Sequence, residues 1–238
     1  MVCTIGMAPP YNSRPVNSSR QGTAQRPPGR GLGFIAAAVR SPREVGTLLP
    51  SGPELARRLA AVVPRDGPRG RPMVVVEIGA GDGAVTGALA ERAGPDAVVI
   101  AVEKDPELAQ RLRARGLAGV QVVTADAATL PAILAERGVA LADVIVSVLP
   151  WTFIGPRQQR EFLATFSAAL RPDGVFTAAA YSSGYWTSAA RRFRDELGRT
   201  FGEVLPTRTM WRHVPPAMTY VCRHPVQPAP EVSGDRSR

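Results

Sequence analysis

Three acids and three glycines, met in a set order along the chain, are the residues best placed to do chemistry. Val76-Glu77-Ile78-Gly79-Ala80-Gly81-Asp82-Gly83 puts glycines at alternate positions directly after an apolar run. Glycine there lets the backbone approach a ligand closely and leads it to a helix N-terminus. Further on, the run Val98–Val102 ends in Glu103, where an acid can accept hydrogen bonds from both hydroxyls of a ribose. A third run, Val120–Val123, ends in Thr124-Ala125-Asp126, whose carboxylate could accept from an adenine amino group. Each residue alone also has a plain structural reading: a tight turn, a solvated strand end, a helix cap. Their order and spacing favour a nucleoside site at the carboxyl ends of successive strands.

Two cofactor classes fit glycines in this position. Gly79-x-Gly81-x-x-Ala84 satisfies the dinucleotide fingerprint with alanine in its last place. Against that, Glu77 stands two positions before the first glycine, where it can accept from a cationic amino group rather than face a pyrophosphate. The resulting E-x-G-x-G-x-G string strongly resembles that of class I methyltransferases that use S-adenosylmethionine. The resemblance spans about residues 34–223. It implies a Rossmann-like α/β fold with a seven-stranded, mostly parallel sheet, an antiparallel last strand and helices on both faces. It also implies S-adenosylmethionine as cofactor. Glu77, Gly79, Gly81 and Gly83 would surround its methionine part, Glu103 would hold the ribose, and Asp126 with Ala127 would border the adenine. Ser51, Lys104 and Ser147 complete the implied cofactor-binding set.

The acceptor is read from other strings. Ser147-Val148-Leu149-Pro150-Trp151 lies where adenine-amine methyltransferases carry Asn or Asp, then Pro-Pro or Leu-Pro and an aromatic that stacks on the flipped base. Here serine replaces the amide, and it is a shorter, weaker acceptor. Val45-Gly46-Thr47-Leu48-Leu49-Pro50-Ser51-Gly52, Ser147-x-Leu149-Pro150 and Trp211-Arg212-His213-Val214-Pro215-Pro216-Ala217 resemble strings of bacterial phospholipid N-methyltransferases, with His213 in place of their usual Asn. That resemblance implies methylation of the head-group amine of phosphatidylethanolamine. Tyr181 and His213 are then the catalytic candidates. Leu149, Pro150, Trp151, Tyr181 and Arg212 are the substrate-binding candidates. Tyr181 would assist proton loss or position the amine, His213 would assist or be structural, and Trp151 would be a lid or ordinary core. The alternatives are an adenine N6-methyltransferase of ribosomal RNA and a small-molecule methyltransferase of secondary metabolism. A different class, a non-catalytic binding protein that retains the cofactor fold, is also open, and the intact Glu77, Glu103 and Asp126 argue against loss of cofactor binding.

Alternating elements must position these residues. Strands are expected at Met73–Ile78, Ala97–Val102, Val120–Thr124, Asp143–Leu149 and Val175–Tyr181, with two more near Val204–Trp211 and Ala217–Arg223. Helices are expected after a capping box at Ser51-Gly-Pro-Glu54, and at Ala84–Arg92, Pro106–Arg115, Leu130–Arg137, Arg157–Leu170 and near Ser188–Leu197, with a turn at Arg171-Pro-Asp-Gly174. Strands alternating with helices argue for a parallel sheet.

The 238 residues carry 29 bases and 20 acids for a net charge of +9, and every base but Lys104 is arginine. The basicity flanks an acidic middle: residues 1–43 hold six arginines and no acid, whereas 73–150 hold six bases against ten acids. Charge alone therefore fits either a polyanion or an anionic membrane. The sequence divides into an Arg- and Pro-rich tail over 1–30, a catalytic domain over 31–224 and a second tail over 225–238, the tails expected to be disordered. No apolar run approaches a membrane span, and the N-terminus lacks a signal-peptide pattern. Cys3 and Cys222 make neither a disulfide framework nor a metal site. These features point to a cytoplasmic protein with no metal. Its partner would be a lipid or small-molecule amine, with RNA as the second choice. The Arg-flanked segment Phe34–Val39 would either touch an anionic inner membrane face or pack over the cleft.

Overall fold

Strands that are apolar on both faces need helices above and below, and the chain supplies them. The computed structural model describes residues 52–181, 186–213 and 215–226. Seven strands form one sheet: β1 (Val74–Ile78), β2 (Val98–Glu103), β3 (Val120–Thr124), β4 (Ala142–Ser147), β5 (Leu170–Tyr181), β6 (Phe201–Pro206) and β7 (Ala217–Pro225). Their order is β3-β2-β1-β4-β5-β7-β6. The neighbours among β1 to β5 are parallel, and β7 runs antiparallel to both β5 and β6. The expected mixed sheet with its reversed last strand is thus observed.

Alternation along each strand sorts side chains between two layers. Val76, Ile78, Ile100, Ile145 and Phe176 meet helices α4 (Leu130–Ala135), α5 (Pro156–Ala169) and α6 (Ser188–Thr200). Val75, Val99, Val144 and Val146 meet α1 (Pro53–Ala60) and α2 (Thr86–Ala93). Ala101 packs with Leu112 of α3 (Pro106–Ala114). Because the strand order reverses between β1 and β4, a crevice opens at their carboxyl ends, where this topology binds ligands.

Most boundaries fall within two residues of expectation, and three differences have physical causes. Helix α1 starts one residue later than the capping box implies: Gly52 is its N-cap and Pro53 its first residue, the position where a missing N–H costs nothing. Ser51 lies outside the described residues, as do Val45–Pro50, Phe34–Val39, Cys3 and both tails but for Pro225 and Val226. The turn at Arg171–Gly174 is a bulge within β5: Ala142 pairs with Leu170 and Val144 with Val175, so two steps on β4 face five on β5. A Cβ on Gly174 would stand 2.7 Å from Leu170 Cγ, so the bulge needs glycine. Finally, β6 comes earlier than its β-branched run suggests, directly after α6. Burial of Phe201, stacked on Phe176 with centroids 5.3 Å apart, fixes it there. The Thr207–Met210 segment follows β7 through only two backbone bonds, Thr207 N–H to Thr219 O and Met210 N–H to Ala217 O.

The amino ends of β1 and β4 are tied by an ion pair. Arg71 Nη1 donates to Asp143 Oδ2 at 2.7 Å, Arg71 Nη2 donates to Oδ1, and the Val74 N–H donates to Oδ2 at 2.8 Å. Burial opposes ionisation of Asp143, yet the hydrogen bonds from Arg71 and Val74 hold its carboxyl below the usual carboxylate range. A depressed acid stabilises the fold above its ordinary pKa and stops doing so as pH falls through its folded value. Asp143→Asn should therefore cost about 1–3 kcal/mol at pH 7, with the deficit shrinking towards pH 3. Denaturant midpoints at both pH values test this, and equal midpoints at pH 7 would remove the pair from the account.

Candidate active site

The glycine-rich turn is built by backbone geometry that side chains resist. Gly79, Gly81 and Gly83 have φ of 77°, 58° and 88°, all in the left-handed region. Leaving β1, the chain turns across β2: the N–H groups of Gly79 and Ala80 both donate to Val102 O, at 2.9 and 3.2 Å. A Cβ at Gly83 would lie 2.3 Å from Leu112 Cδ1, and one at Gly79 would lie 3.0 Å from Leu149 Cδ2. At Gly81 it would meet nothing within 4 Å among the described residues. Gly79 and Gly83 therefore permit packing, while Gly81 presents backbone to open space. Glu103 holds the turn from β2, accepting from the Gly81 N–H at 2.8 Å and from the Asp105 N–H at 2.9 Å, one on each oxygen. Arg115, which no sequence pattern singled out, braces the turn by donating from Nη1 to Asp82 O at 3.0 Å.

Glu77 is fully buried (0 % exposed) beneath this turn. Thr86, in the first turn of α2, donates to its Oε2 at 2.5 Å, and Oε1 has no hydrogen-bond partner among the described residues. Burial pushes the acid up to about 8; the Thr86 hydrogen bond and Arg115 oppose that, and Glu103 adds to it. An unpaired buried carboxylate oxygen is costly, and an arriving ammonium group would satisfy it. The residues thus fit a cofactor with a cationic amino group and a ribose. Thr86 was missed because nothing in its spacing marks it; only the need of a buried acid for a donor does.

The adenine-side residues are placed as a small surface network. Asp126 caps a 3₁₀ turn over Ala127–Thr129, accepting from the Ala128 N–H at 3.0 Å, while Lys104 Nζ donates to its other oxygen at 2.8 Å. The Lys104 hydrogen bond, with the Ala128 N–H, lowers the Asp126 pKa. The cap reading of Asp126 is thereby observed, and the carboxylate is oriented at the end of β3. Ala127 is buried in the core.

On the acceptor side three candidate side chains are turned to partners within the fold. Ser147 is fully buried, and its Oγ accepts from Trp151 Nε1 at 3.1 Å, so the hydroxyl anchors an indole instead of facing the crevice. Trp151 itself is 2 % exposed and stacks on Phe193 with centroids 4.5 Å apart. It is core and not a lid, because four phenylalanines (162, 166, 176 and 193) surround it. His213 is no free base: Nε2 accepts from the Gly52 N–H at 3.3 Å, which leaves Nδ1–H to donate to Pro215 O at 2.7 Å. Both ring nitrogens are occupied, and the imidazole ties the start of α1 to the segment before β7. Tyr181 ends β5 with its ring centroid 6.2 Å from that of His213. Leu149 is half-buried against Gly79, while Pro150 and Arg212 are exposed.

The buried acid sets a pH dependence. Between about pH 4.5 and 8 the folded chain keeps the Glu77 proton that the unfolded chain releases, so this group makes the ligand-free protein less stable as pH rises. Glu77→Gln, which can still accept from Thr86, should flatten that slope and be relatively more stable at pH 8 than at pH 5. Thermal melts of both proteins at the two pH values measure it; parallel slopes would show Glu77 to be ionised in the fold.

Comparison with known proteins identifies the family. A family model described as a methyltransferase domain matches residues 75–174, the stretch carrying the glycine turn, Glu103 and Asp126. The ornithine lipid N-methyltransferase of Singulisphaera acidiphila is 34% identical over 192 residues, covering 80% of this chain and 94% of that protein. Among solved structures, an S-adenosylmethionine-dependent O-methyltransferase from Thermotoga maritima superposes with a TM-score of 0.56 at 15% identity, covering 78% of this chain and 72% of that one. The N-methyltransferase NodS from Bradyrhizobium japonicum gives 0.54 at 16% identity, covering 73% and 96%. At such identities these two structures share the fold with this chain, and one transfers to oxygen, the other to nitrogen. The glycine turn over a buried acid, the acids ending β2 and β3, and a relative matched over nearly its whole length agree: the chain belongs to the class I S-adenosylmethionine-dependent methyltransferases.

Proposed function

We propose that this enzyme N-methylates the amine of a membrane lipid, with the head group of phosphatidylethanolamine as acceptor. The observation that carries the reading is the 34% identity to a lipid N-methyltransferase over 94% of that protein. The state of Ser147 supports it against an adenine acceptor: its hydroxyl is buried and already accepts from Trp151, so no side-chain acceptor is offered there to a base amino group.

When bound, S-adenosylmethionine supplies an electrophilic methyl carbon on a sulfonium sulfur. Glu77 and the open backbone at Gly81 would hold its amino acid end, Glu103 its ribose, and Asp126 with Lys104 would border its adenine. The acceptor nitrogen must arrive neutral and in line, so orientation supplies much of the rate enhancement. Burial raises the pKa of Tyr181, which keeps its phenol protonated at neutral pH. Tyr181 therefore suits positioning the amine by a hydrogen bond, with the proton leaving to water. Among the described residues no helix is long and apolar enough to cross a membrane, so the enzyme would meet its lipid from the inner membrane face as a peripheral protein.

Methyl-labelled cofactor should deliver label to the organic phase from phosphatidylethanolamine vesicles. Label entering only ornithine lipid would replace the head group, and label entering only ribosomal RNA would sink the reading. Glu103→Ala should weaken cofactor binding by more than about tenfold, since two ribose hydroxyls lose their acceptor; unchanged calorimetric affinity would refute that role. Tyr181→Phe should lower kcat by about tenfold or more with cofactor affinity intact, and an unaltered kcat would remove Tyr181 from the site.

A further inference from the structure

The large apolar side chains left in water are not scattered over the fold. Phe153 (42 % exposed) follows β4, Trp186 (82 %) lies between β5 and α6, and Trp211 (76 %) lies between β6 and β7. Strands β4, β5 and β6 run parallel and β7 starts where β6 ends, so all three aromatics stand at the carboxyl end of the sheet, the end that carries the glycine turn. Leu205 (46 %) is near the end of β6, on the same side; Val226, after β7, is the exception. Monomeric proteins rarely gather exposed apolar groups on one rim without a partner.

The charge beside Trp211 is one-sided, whereas the acids of the rim lie at the ends of β2 and β3. The segment carrying Trp211 runs beside α1: Arg58 Nη1 donates to Arg208 O at 3.4 Å, and Gly52 N–H meets His213. This brings Arg57, Arg58, Arg208 and Arg212 together with a single acid of α1, Glu54. Arg57, Arg208 and Arg212 are exposed. Indoles settle at the head-group level of a bilayer, and arginines beside them are drawn to anionic lipid.

We infer that the carboxyl-end rim, through Trp186, Trp211 and the arginines beside Trp211, is the surface by which the enzyme sits on an anionic bilayer, opening the site towards the head groups. The choice of a bilayer rests on the lipid-acceptor reading above. An RNA partner would use the arginines but has no need of apolar side chains on three separate connections.

The test is flotation of the full-length protein with vesicles of phosphatidylglycerol and, separately, of phosphatidylcholine, beside methylation of a short-chain phosphatidylethanolamine kept below its micelle concentration. The wild type should bind the anionic vesicles in a salt-sensitive way. Trp186→Ala/Trp211→Ala and Arg57→Gln/Arg208→Gln should each weaken that binding by about tenfold or more, with methylation of the monomeric lipid unchanged. Vesicle binding that survives both double variants would overturn the docking surface while leaving the lipid-acceptor reading intact. Rim-dependent vesicle binding with no label in either lipid form would support the surface and defeat the acceptor. Rim-dependent binding to an RNA oligonucleotide, with none to vesicles, would overturn the inference.

Discussion

The bond from the Gly81 N–H to Glu103 joins the two halves of the site. It exists because three alternate residues can hold positive φ, letting the chain leave β1 and turn across the end of β2. The same carboxylate that fixes the turn is the one the proposed function would offer to a ribose, which would make cofactor site and loop conformation one construction. Below it Leu112 fills the space a Cβ at Gly83 would need, and above it Gly81 faces open space. Gly79 and Gly83 serve packing, and Gly81 is the glycine of the motif left open.

Electrostatics divides the site by depth. Glu77 is sealed under the turn with Thr86 as the only hydrogen-bond partner of its carboxyl among the described residues, and burial keeps its proton on to about pH 8. Asp126, at the surface, has Lys104 and a backbone N–H to keep it ionised. A buried neutral acid and an exposed ionised one suit different parts of one cofactor, the first an incoming cation, the second a polar base edge. The Arg71–Asp143 pair at the opposite end of the sheet holds β1 to β4, which fixes the strand spacing on which the crevice depends.

The acceptor side follows another logic. Trp151, Ser147, Gln159 and the phenylalanines around them form a rigid wall, with Gln159 Nε2 donating to Trp151 O at 2.6 Å. His213 staples the start of α1 to the segment before β7, residues 161 positions apart. Residues that read as chemistry are here scaffolding, and what remains towards solvent is a rim of aromatic and arginine side chains.

How much was legible in the sequence depends on whether a residue's role is local. The strands are legible because a run such as Val74–Ile78, apolar at every position, can sit only inside a covered sheet. The glycine turn, Glu103 and Asp126 are legible because their work is done at strand ends by residue type and spacing. Arg171-Pro-Asp-Gly174 is legible as a turn, but its place as a bulge within β5 is not, because pairing with β4 decides it. By contrast, Ser147, Trp151 and His213 carry the same side chains whether they face a ligand or the core, and only their neighbours decide. Phe193 and Gly52 claim the indole and the imidazole from far along the chain, and no spacing records that. The sequence by itself determined the strands, the helices and their order along the chain, since those rest on periodicity, while its resemblance to class I methyltransferases implied the sheet type and the cofactor class. Tertiary structure alone decided which candidates were free to react, because burial and hydrogen-bond saturation are properties of the packed neighbourhood and not of the residue.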